Sequence, residues 1–348
     1  VFKQVSSPHA HSPAKTAWVM QQVCLALLPG LAVLTWFYGW GNLINTLLAI
    51  LFALGFEATI VALRKRPIVF YLSDFSAVVT AMLLALTIPP YAPWWVTLIG
   101  VFFAIPVAKH LYGGMGFNPF NPAMVGYVVL LISFPVQMVE WPAPKTMTEL
   151  PGFAEALGFI FLGTHPVDGV TAATALDLVK QNNSLILDQL WEQAPQFSTA
   201  SFVAAGAEWV NIAFLLGGVY LLTRRLYTWH APVAMLATIF VLSSLFYDGG
   251  SSASKGSPLF HLFTGGTMLG AFFIITDPVS GCTSNRGRLI FGAGVGLLVF
   301  VIRAWGNYPD AIAFGVLLMN FAAPVIDYYT LPRVYGHDKR TNVRIHKE

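Results

Sequence analysis

The segment His165-Pro166-Val167-Asp168-Gly169-Val170-Thr171-Ala172-Ala173-Thr174-Ala175-Leu176 carries the densest potential chemistry in the chain. Asp168-Gly169 is a turn pair. Thr171 and Thr174 are each suited to cap a short helix, and Asp177, three residues after Thr174, completes a capping box. Beside that structural role stands a chemical one. The small residues Gly169, Ala172 and Ala173 leave the Thr174 hydroxyl open to approach. A threonine hydroxyl is a weak nucleophile unaided. A group attached there covalently therefore needs a dedicated modifying enzyme, and that enzyme needs the open approach.

Acidic residues inside apolar runs are the second source of chemistry, because a charge at membrane depth is kept only for a function or a partner. The candidates are Glu57, Asp74, Asp277, Asp310 and Asp327. Asp74 follows Ser73 at a span start, where it serves as a cap, and Asp327 is expected to be wet near the end of the last span. Glu57 lies deepest. It is the expected ion-path residue, with pairing to a basic neighbour such as Arg64 as the competing role. The two cysteines, Cys24 and Cys282, and the eight histidines show no metal-ligand spacing. No P-loop, GxGxxG or nucleic-acid-binding patch appears, so an NAD site is not expected on this chain.

These residues need elements to hold them. Of 348 residues, 56% are hydrophobic and 10% charged, with a mean hydropathy of +0.66. Soluble domains carry roughly 25% charged residues, so the chain belongs in a bilayer. Runs long enough to cross one fall near 16–37, 42–63, 74–90, 93–112 and 121–140, then near 208–223, 230–247, 258–276, 288–304 and 309–327. The expected fold class is an all-α membrane protein of about ten transmembrane helices. Its parts are a tail (1–15), five helices (16–141), an outer loop (142–207), five more helices (208–328) and a second tail (329–348). The first tail shows no signal-peptide pattern. As the sequence does not open on Met, further residues are expected to precede Val1 in the gene product.

Basic residues gather on the side of the termini. Lys3, Lys15, Arg64, Lys65, Arg66, Lys109, Arg224, Arg225, Arg286, Arg288, Arg333, Lys339, Arg340, Arg344 and Lys347 fall there, out of 19 Lys and Arg. Only Lys145, Lys180, Lys255 and Arg303 fall opposite. Both termini are therefore expected to be cytoplasmic, and the outer loop with Thr174 extracytoplasmic.

An offset of 189 residues carries Thr87, in Leu86-Thr87-Ile88-Pro89, onto Thr276, in Ile275-Thr276-Asp277-Pro278. It also carries Asn121 onto Asp310. Five spans per half is odd, so the second half is expected to be inverted relative to the first. Inverted repeats hold their sites near the midplane, at spans broken by Gly or Pro. Gly113-Gly114-Met115-Gly116 with Asn118-Pro119, and Gly265-Gly266 with Thr276-Asp277-Pro278, fit such breaks. The same segments also read as ordinary loop ends at the membrane surface.

The heptad Asp168 to Thr174 resembles the acceptor motif for covalent flavinylation, Asp-x-x-(Ser/Thr)-(Gly/Ala)-Ala-Thr, in which the last Thr is joined to FMN through a phosphoester. Asp168, Thr171, Ala172, Ala173 and Thr174 fill it in order, with Ala172 where Gly is also common. Together with Ser6-Ser7-Pro8-His9, the segment Phe117-Asn118-Pro119-Phe120-Asn121-Pro122-Ala123 and Thr276-Asp277-Pro278-Val279-Ser280-Gly281, nearly the whole chain resembles the RnfD family, membrane subunits of the Rnf ferredoxin:NAD+ oxidoreductases. It is similar, less closely, to the corresponding membrane subunit of sodium-pumping NADH:quinone reductases. The resemblance implies a urea-transporter-like fold of two inverted repeats in the bacterial inner membrane, with one covalent FMN on the periplasmic side. It implies a place in a chain relaying electrons between reduced ferredoxin and NAD+, coupled to Na+ or H+ translocation. The implied partners are other membrane and peripheral subunits, including a second covalent-FMN subunit and iron–sulfur subunits, besides membrane lipid. It also implies a second, non-covalent flavin, riboflavin or a close relative, near Asn118 and Asn121, with Thr276 and Asp277 facing them. An asparagine amide both donates and accepts, as the polar edge of an isoalloxazine ring requires. A channel or secondary transporter on the same fold is the alternative, and only the flavoprotein reading accounts for the Thr174 heptad.

Overall fold

The computed structural model describes residues 15–163, 170–182, 184–252, 254–306, 308 and 310–330. Asp168 and Gly169 of the acceptor heptad lie outside the described residues, as do residues 1–14 and 331–348 of the two expected tails. The described elements are helices, and the extended pairing among them is an isolated bridge between Pro142 and Thr171.

The first half opens with α1 (Thr16–Tyr38) and α2 (Gly41–Leu63), followed by the short α3 (Ile68–Leu72) and α4 (Ser76–Ala85). Next come α5 (Trp94–Phe102), which widens into a π-helix over Phe103–His110 around Pro106, then α6 (Pro122–Ser133) and α7 (Pro135–Val139). Four short helices follow: α8 (Phe153–Leu162), α9 (Ala175–Gln181), α10 (Leu187–Gln193) and α11 (Pro195–Ser198). The second half holds α12 (Ala207–Thr223), α13 (His230–Leu245), α14 (Pro258–Phe263), α15 (Thr267–Leu269) with a π-helical continuation over Gly270–Ile274, α16 (Asn285–Trp305) and α17 (Ile312–Thr330). Among them α1, α2, α16 and α17 are long and apolar enough to cross a membrane. The helices Ser76–Ala85, Trp94–His110, Pro122–Ser133, Phe153–Leu162, Ala207–Thr223 and His230–Leu245 are apolar but shorter. The protein is an all-α, multi-pass membrane protein.

Three expected spans are not continuous. The run 74–90 contains a helix only from Ser76 to Ala85, entered through Phe75 in the left-handed region (φ 62°) and ended by Thr87, whose hydroxyl donates to the Leu84 carbonyl at 2.7 Å. The run 258–276 is divided at Gly265, also left-handed (φ 58°), into α14 and α15. Pro135 ends α6 within the run 121–140 and starts α7. The break at Gly265 falls on the Gly265-Gly266 pair that stands out in the sequence, and Pro135 is a visible helix breaker. Hydropathy, by contrast, counts apolar residues and cannot see the left-handed joint at Phe75.

The most extensive packing between the halves among the described residues is that of α1 on α12 and of α6 on α17. The first is unusually close because a Cβ at Gly217 would stand 2.1 Å from the Ala26 carbonyl oxygen. Small residues that let backbones approach are a principal means of packing helices in lipid, where no hydrophobic drive separates helix from solvent. One core runs through both halves and includes Leu27, Leu84, Ile105, Met124, Met235 and Phe291. A second, smaller core sits under α9–α11, where Leu176, Val179, Leu190 and Phe197 bury Phe260 of α14.

Candidate functional site

Residues 170–172 are pinned to the segment after α7. The Ala143 N–H donates to the Val170 carbonyl at 2.8 Å, and the Ala172 N–H donates to the Trp141 carbonyl at 3.0 Å. Gln196 then donates from Nε2 to the Ala173 carbonyl at 3.2 Å. These bonds hold Thr174, the N-cap of α9, in extended backbone. Its Oγ1 donates to Asp177 Oδ2 at 2.6 Å and accepts from the Asp177 N–H at 3.3 Å, while its own N–H reaches Asp177 Oδ2 at 3.2 Å. The capping box expected from sequence is formed.

Thr174 lines a cavity of about 220 Å³. Its walls include Tyr38, Trp141, Thr87 and Tyr127 from the first half, and Gly266 and Asp310 from the second. Tyr38 and Trp141 meet edge to face at 6.0 Å. Ala172 and Ala173 line it beside Thr174, whereas Thr171 is exposed and does not contribute. In the last turn of α9, Lys180 donates to the Tyr308 carbonyl, and its partial burial holds its pKa below the ordinary lysine value against the opposing pull of Asp177.

Asp310 belongs to a polar knot that sequence reasoning missed. Arg303, counted from sequence among the extracytoplasmic charges, is buried and donates to Asp310 Oδ1 at 2.9 Å, to the His261 carbonyl at 2.9 Å and to Thr267 Oγ1 at 3.0 Å. The Gly266 N–H donates to Asp310 Oδ2 at 2.9 Å. The knot thus supports the Gly265-Gly266 break where the cavity needs it. The spacing of Arg303 and Asp310, seven residues across the α16–α17 turn, was the available signal.

A second cavity, of about 680 Å³, is lined by Asn118, Asn121, Thr276 and Asp277, so the structure brings all four of these sequence-selected residues to one space. Val19 and Met20 of α1, with Arg225, Tyr227 and Arg288, complete much of its wall. Asn121 caps α6, its Oδ1 accepting from the Ala123 and Met124 N–H groups, and its Nδ2 donates across the halves to the Ile274 carbonyl at 3.2 Å. Asn118 donates to the Phe120 carbonyl at 3.0 Å. Asp277 accepts from Ser280 Oγ at 2.7 Å and from the Val279 N–H at 3.2 Å, and Thr276 donates to the Phe272 carbonyl at 2.9 Å. Each therefore also has a local structural duty.

Glu57 is buried and paired, but not with Arg64. Lys109 Nζ donates to both its carboxylate oxygens, at 2.9 and 2.8 Å, and to Ser76 Oγ at 2.8 Å. His110 Nε2 lies 2.9 Å from Glu57 Oε2. Arg64 turns away to the carbonyls of His110 and Gly113. Lys109, counted from sequence as a charge on the basic side, is 2% exposed. Its position inside the run 93–112 was the overlooked signal, since a lysine in such a run needs a buried partner. The N-cap of α4 is Phe75 and not Asp74, but Asp74 stands one residue before it and accepts from the Ser76 N–H at 2.7 Å.

The fold and cavities define a multi-pass helical membrane protein with two interior spaces between its halves and a capped, half-buried threonine at one of them. The profile of the NQR2, RnfD, RnfE family matches residues 3–336, and the chain belongs to that family. Among similar proteins, one from Ectopseudomonas mendocina is 62% identical over 336 residues, spanning 97% of this chain and 96% of the relative. One from Cellvibrio japonicus is 56% identical over 339 residues, spanning 96% and 95%. One from Aliivibrio salmonicida is 53% identical over 352 residues, spanning 97% and 99%. All three carry the name of the D-type subunit of an ion-translocating oxidoreductase complex, so the resemblance to the RnfD family is borne out.

Proposed function

We propose that this chain is the membrane flavoprotein subunit of a redox-driven ion pump, relaying electrons between reduced ferredoxin and NAD+ through FMN joined to Thr174, with coupled Na+ or H+ translocation. The observation that carries this reading is that the acceptor threonine lines a cavity shared by both halves of the chain. The residues present fit the group: a hydroxyl for the phosphoester, the small Ala172 and Ala173 beside it, and the aromatic walls of Tyr38, Trp141 and Tyr127. A flavin held there supplies a carrier of one or two electrons. The protein's own part is to tether it by Thr174 and to hold the loop by the Ala143–Val170 and Ala172–Trp141 bonds. Family membership and the relatives' names support work within a complex. Its other members are membrane and peripheral subunits, among them a second covalent-FMN subunit and iron–sulfur subunits. Electrophoresis of the denatured protein tests the reading directly. A flavin-fluorescent band that survives denaturation is expected, and a dark band would favour a channel or transporter instead.

The ten spans of this reading form two inverted repeats in the inner membrane, with both termini cytoplasmic and the loop 142–207 periplasmic. The sequence of joints supports the repeat, since each half has a short helix, a left-handed residue (Phe75 or Gly265) and a second helix closing on Thr87 or Thr276. A cysteine replacing the exposed Ser184 is expected to react with a membrane-impermeant thiol reagent in intact spheroplasts, and one replacing the exposed Lys65 is not. The reverse pattern overturns the orientation.

The larger cavity suits a second, non-covalent flavin of the riboflavin type, since its volume of about 680 Å³ lies within the range of small-molecule sites. Asn118 and Asn121 are its expected polar contacts. Flavin extracted from Thr174→Val protein after denaturation decides this, because that variant lacks the covalent group. Riboflavin is expected there and is expected to fall at least tenfold when Asn118 and Asn121 both become Leu. Flavin-free Thr174→Val protein in an intact complex would refute the second site.

A further inference from the structure

The cavity at Thr174 is unevenly charged. Of the described residues that line it, the charged ones are Asp177 and Asp310, and both are carboxylates. Two cations are bonded to its walls without lining the space. Arg303, paired with Asp310 at 2.9 Å, is enclosed to 1% of its side-chain surface, whereas the Asp310 side chain is 27% exposed. Lys180 is taken up by the Tyr308 carbonyl. The Arg303–Asp310 pair is therefore oriented, with its guanidinium set back in protein and its carboxylate at the cavity wall. Its negative end is the one that a molecule in the cavity meets.

That carboxylate is fixed in place. Its Oδ1 accepts from Arg303 Nε at 3.3 Å, from the second Arg303 nitrogen at 2.9 Å and from the Ala311 N–H at 2.8 Å, while Oδ2 accepts from the Gly266 N–H. Gly265 makes the room. A Cβ there would stand 2.5 Å from Asp310 Oδ2 and 2.8 Å from Leu176 Cδ1. The left-handed glycine thus lets Asp310 approach the first turn of α9, the helix that Thr174 caps. A carboxylate that served only to neutralise Arg303 would need no outlook onto the cavity. One held by this many bonds also cannot swing away when charge appears beside it.

We propose that Asp310 sets the reduction potential of the flavin carried by Thr174, and holds it low. The inference rests on the reading of Thr174 as the attachment point. Reduction adds negative charge to the ring system, and a fixed carboxylate opposes it, more strongly in a protein interior than in water. In a cavity of about 220 Å³ that also holds the tether, no part of the wall is far from the ring. Asp177 acts in the same sense, but it bonds the Thr174 hydroxyl itself, so Asp310 is the carboxylate that can be changed without touching the tether. A low potential lets electrons from a reduced iron–sulfur protein pass on towards NAD+ without a large drop on the way.

The test is a spectroelectrochemical titration of the purified full-length chain, with the signal of Thr174→Val protein subtracted so that only the tethered flavin is read. In the unaltered chain its midpoint is expected below that of free FMN at the same pH, and a midpoint at or above it would overturn the proposal. Asp310→Asn is expected to raise the ratio of reduced to oxidised flavin at a given applied potential at least tenfold, about 30 mV for a two-electron couple or about 59 mV for one electron. That variant leaves Arg303 without its counter-charge, so Asp310→Asn with Arg303→Met is measured beside it and is expected to move the same way. A shift that vanishes in the double variant belongs to the bared Arg303 and would overturn the proposal. Thr267→Val takes another bond from Arg303 without altering any charge, and is expected to leave the potential where it was. An equal shift in Thr267→Val would make Asp310 a structural residue only. A denaturing gel of the same samples reports separately on the tether. A dark band from the unaltered chain refutes the flavin at Thr174, whereas a fluorescent band with an unmoved potential refutes only the role of Asp310.

Discussion

Thr174→Val is expected to abolish the covalent flavin while leaving the chain folded in the membrane. Valine keeps the branched shape but has no oxygen to form the phosphoester, so the loss is complete. The structural cost is smaller. The variant loses the N-cap bond to Asp177 N–H and the bond donated to Asp177 Oδ2, and removal of such a cap costs about 1 kcal/mol. Leu176 and Val179 still anchor α9 in its own small core. Thr174→Ser separates the two effects because serine keeps both the hydroxyl and the cap, and it is expected to retain covalent flavin. Thr171→Val is expected to retain it too, since Thr171 is exposed on the bridge to Pro142 and outside the cavity. Fluorescence of denatured protein in a gel reads all three. Fluorescence that persists in Thr174→Val and vanishes in Thr171→Val would move the attachment to Thr171. Modification also reorganises the cap: an ester oxygen has no proton, so Asp177 Oδ2 would keep only the bond from the Thr174 N–H.

Much of this was legible in the sequence for definable reasons. A transmembrane run is a statement about composition over some twenty residues, which is why α1, α2, α16 and α17 coincide with expected spans. A capping box is a local pattern, so Thr174 and Asp177 could be paired by spacing alone. The grouping of Asn118, Asn121, Thr276 and Asp277, which line one cavity, is an expectation from the family resemblance, carried by motifs far apart in the chain. What stayed hidden depends on one residue's backbone or on a partner far along the chain. Phe75 carries no sequence mark of its left-handed conformation. Arg303 counts in the sequence only as a charge on the side opposite the termini, because its partners, His261 and Thr267, lie some forty residues away. Glu57 and Lys109 are separated by 52 residues, and hydropathy flags each as anomalous without joining them.

That pair gives the second large effect. Glu57→Gln is expected to destabilise the protein by about 3–5 kcal/mol, the usual result of leaving one member of a buried ion pair without its partner. Lys109 loses its counter-charge and is left with neutral acceptors, the amide oxygen and Ser76 Oγ, and both Lys109 and Glu57 are nearly inaccessible, at 3% and 1% of side-chain surface. Thermal unfolding in detergent should show the loss. Replacing both charges, Glu57→Leu with Lys109→Met, is expected to recover most of it, because a buried pair is stabilising relative to half a pair and not relative to apolar packing. The double variant then separates a fold element from an ion path. Lys109 lines the larger cavity, and its partner Glu57 is buried. If the pair serves ion translocation, the double variant should be stable and keep its covalent flavin, yet support redox-driven ion uptake at less than about a tenth of the wild-type rate in vesicles, a barrier difference of about 1.4 kcal/mol or more. Uptake that returns together with stability would make Glu57–Lys109 a structural pair and send the search for the ion path elsewhere.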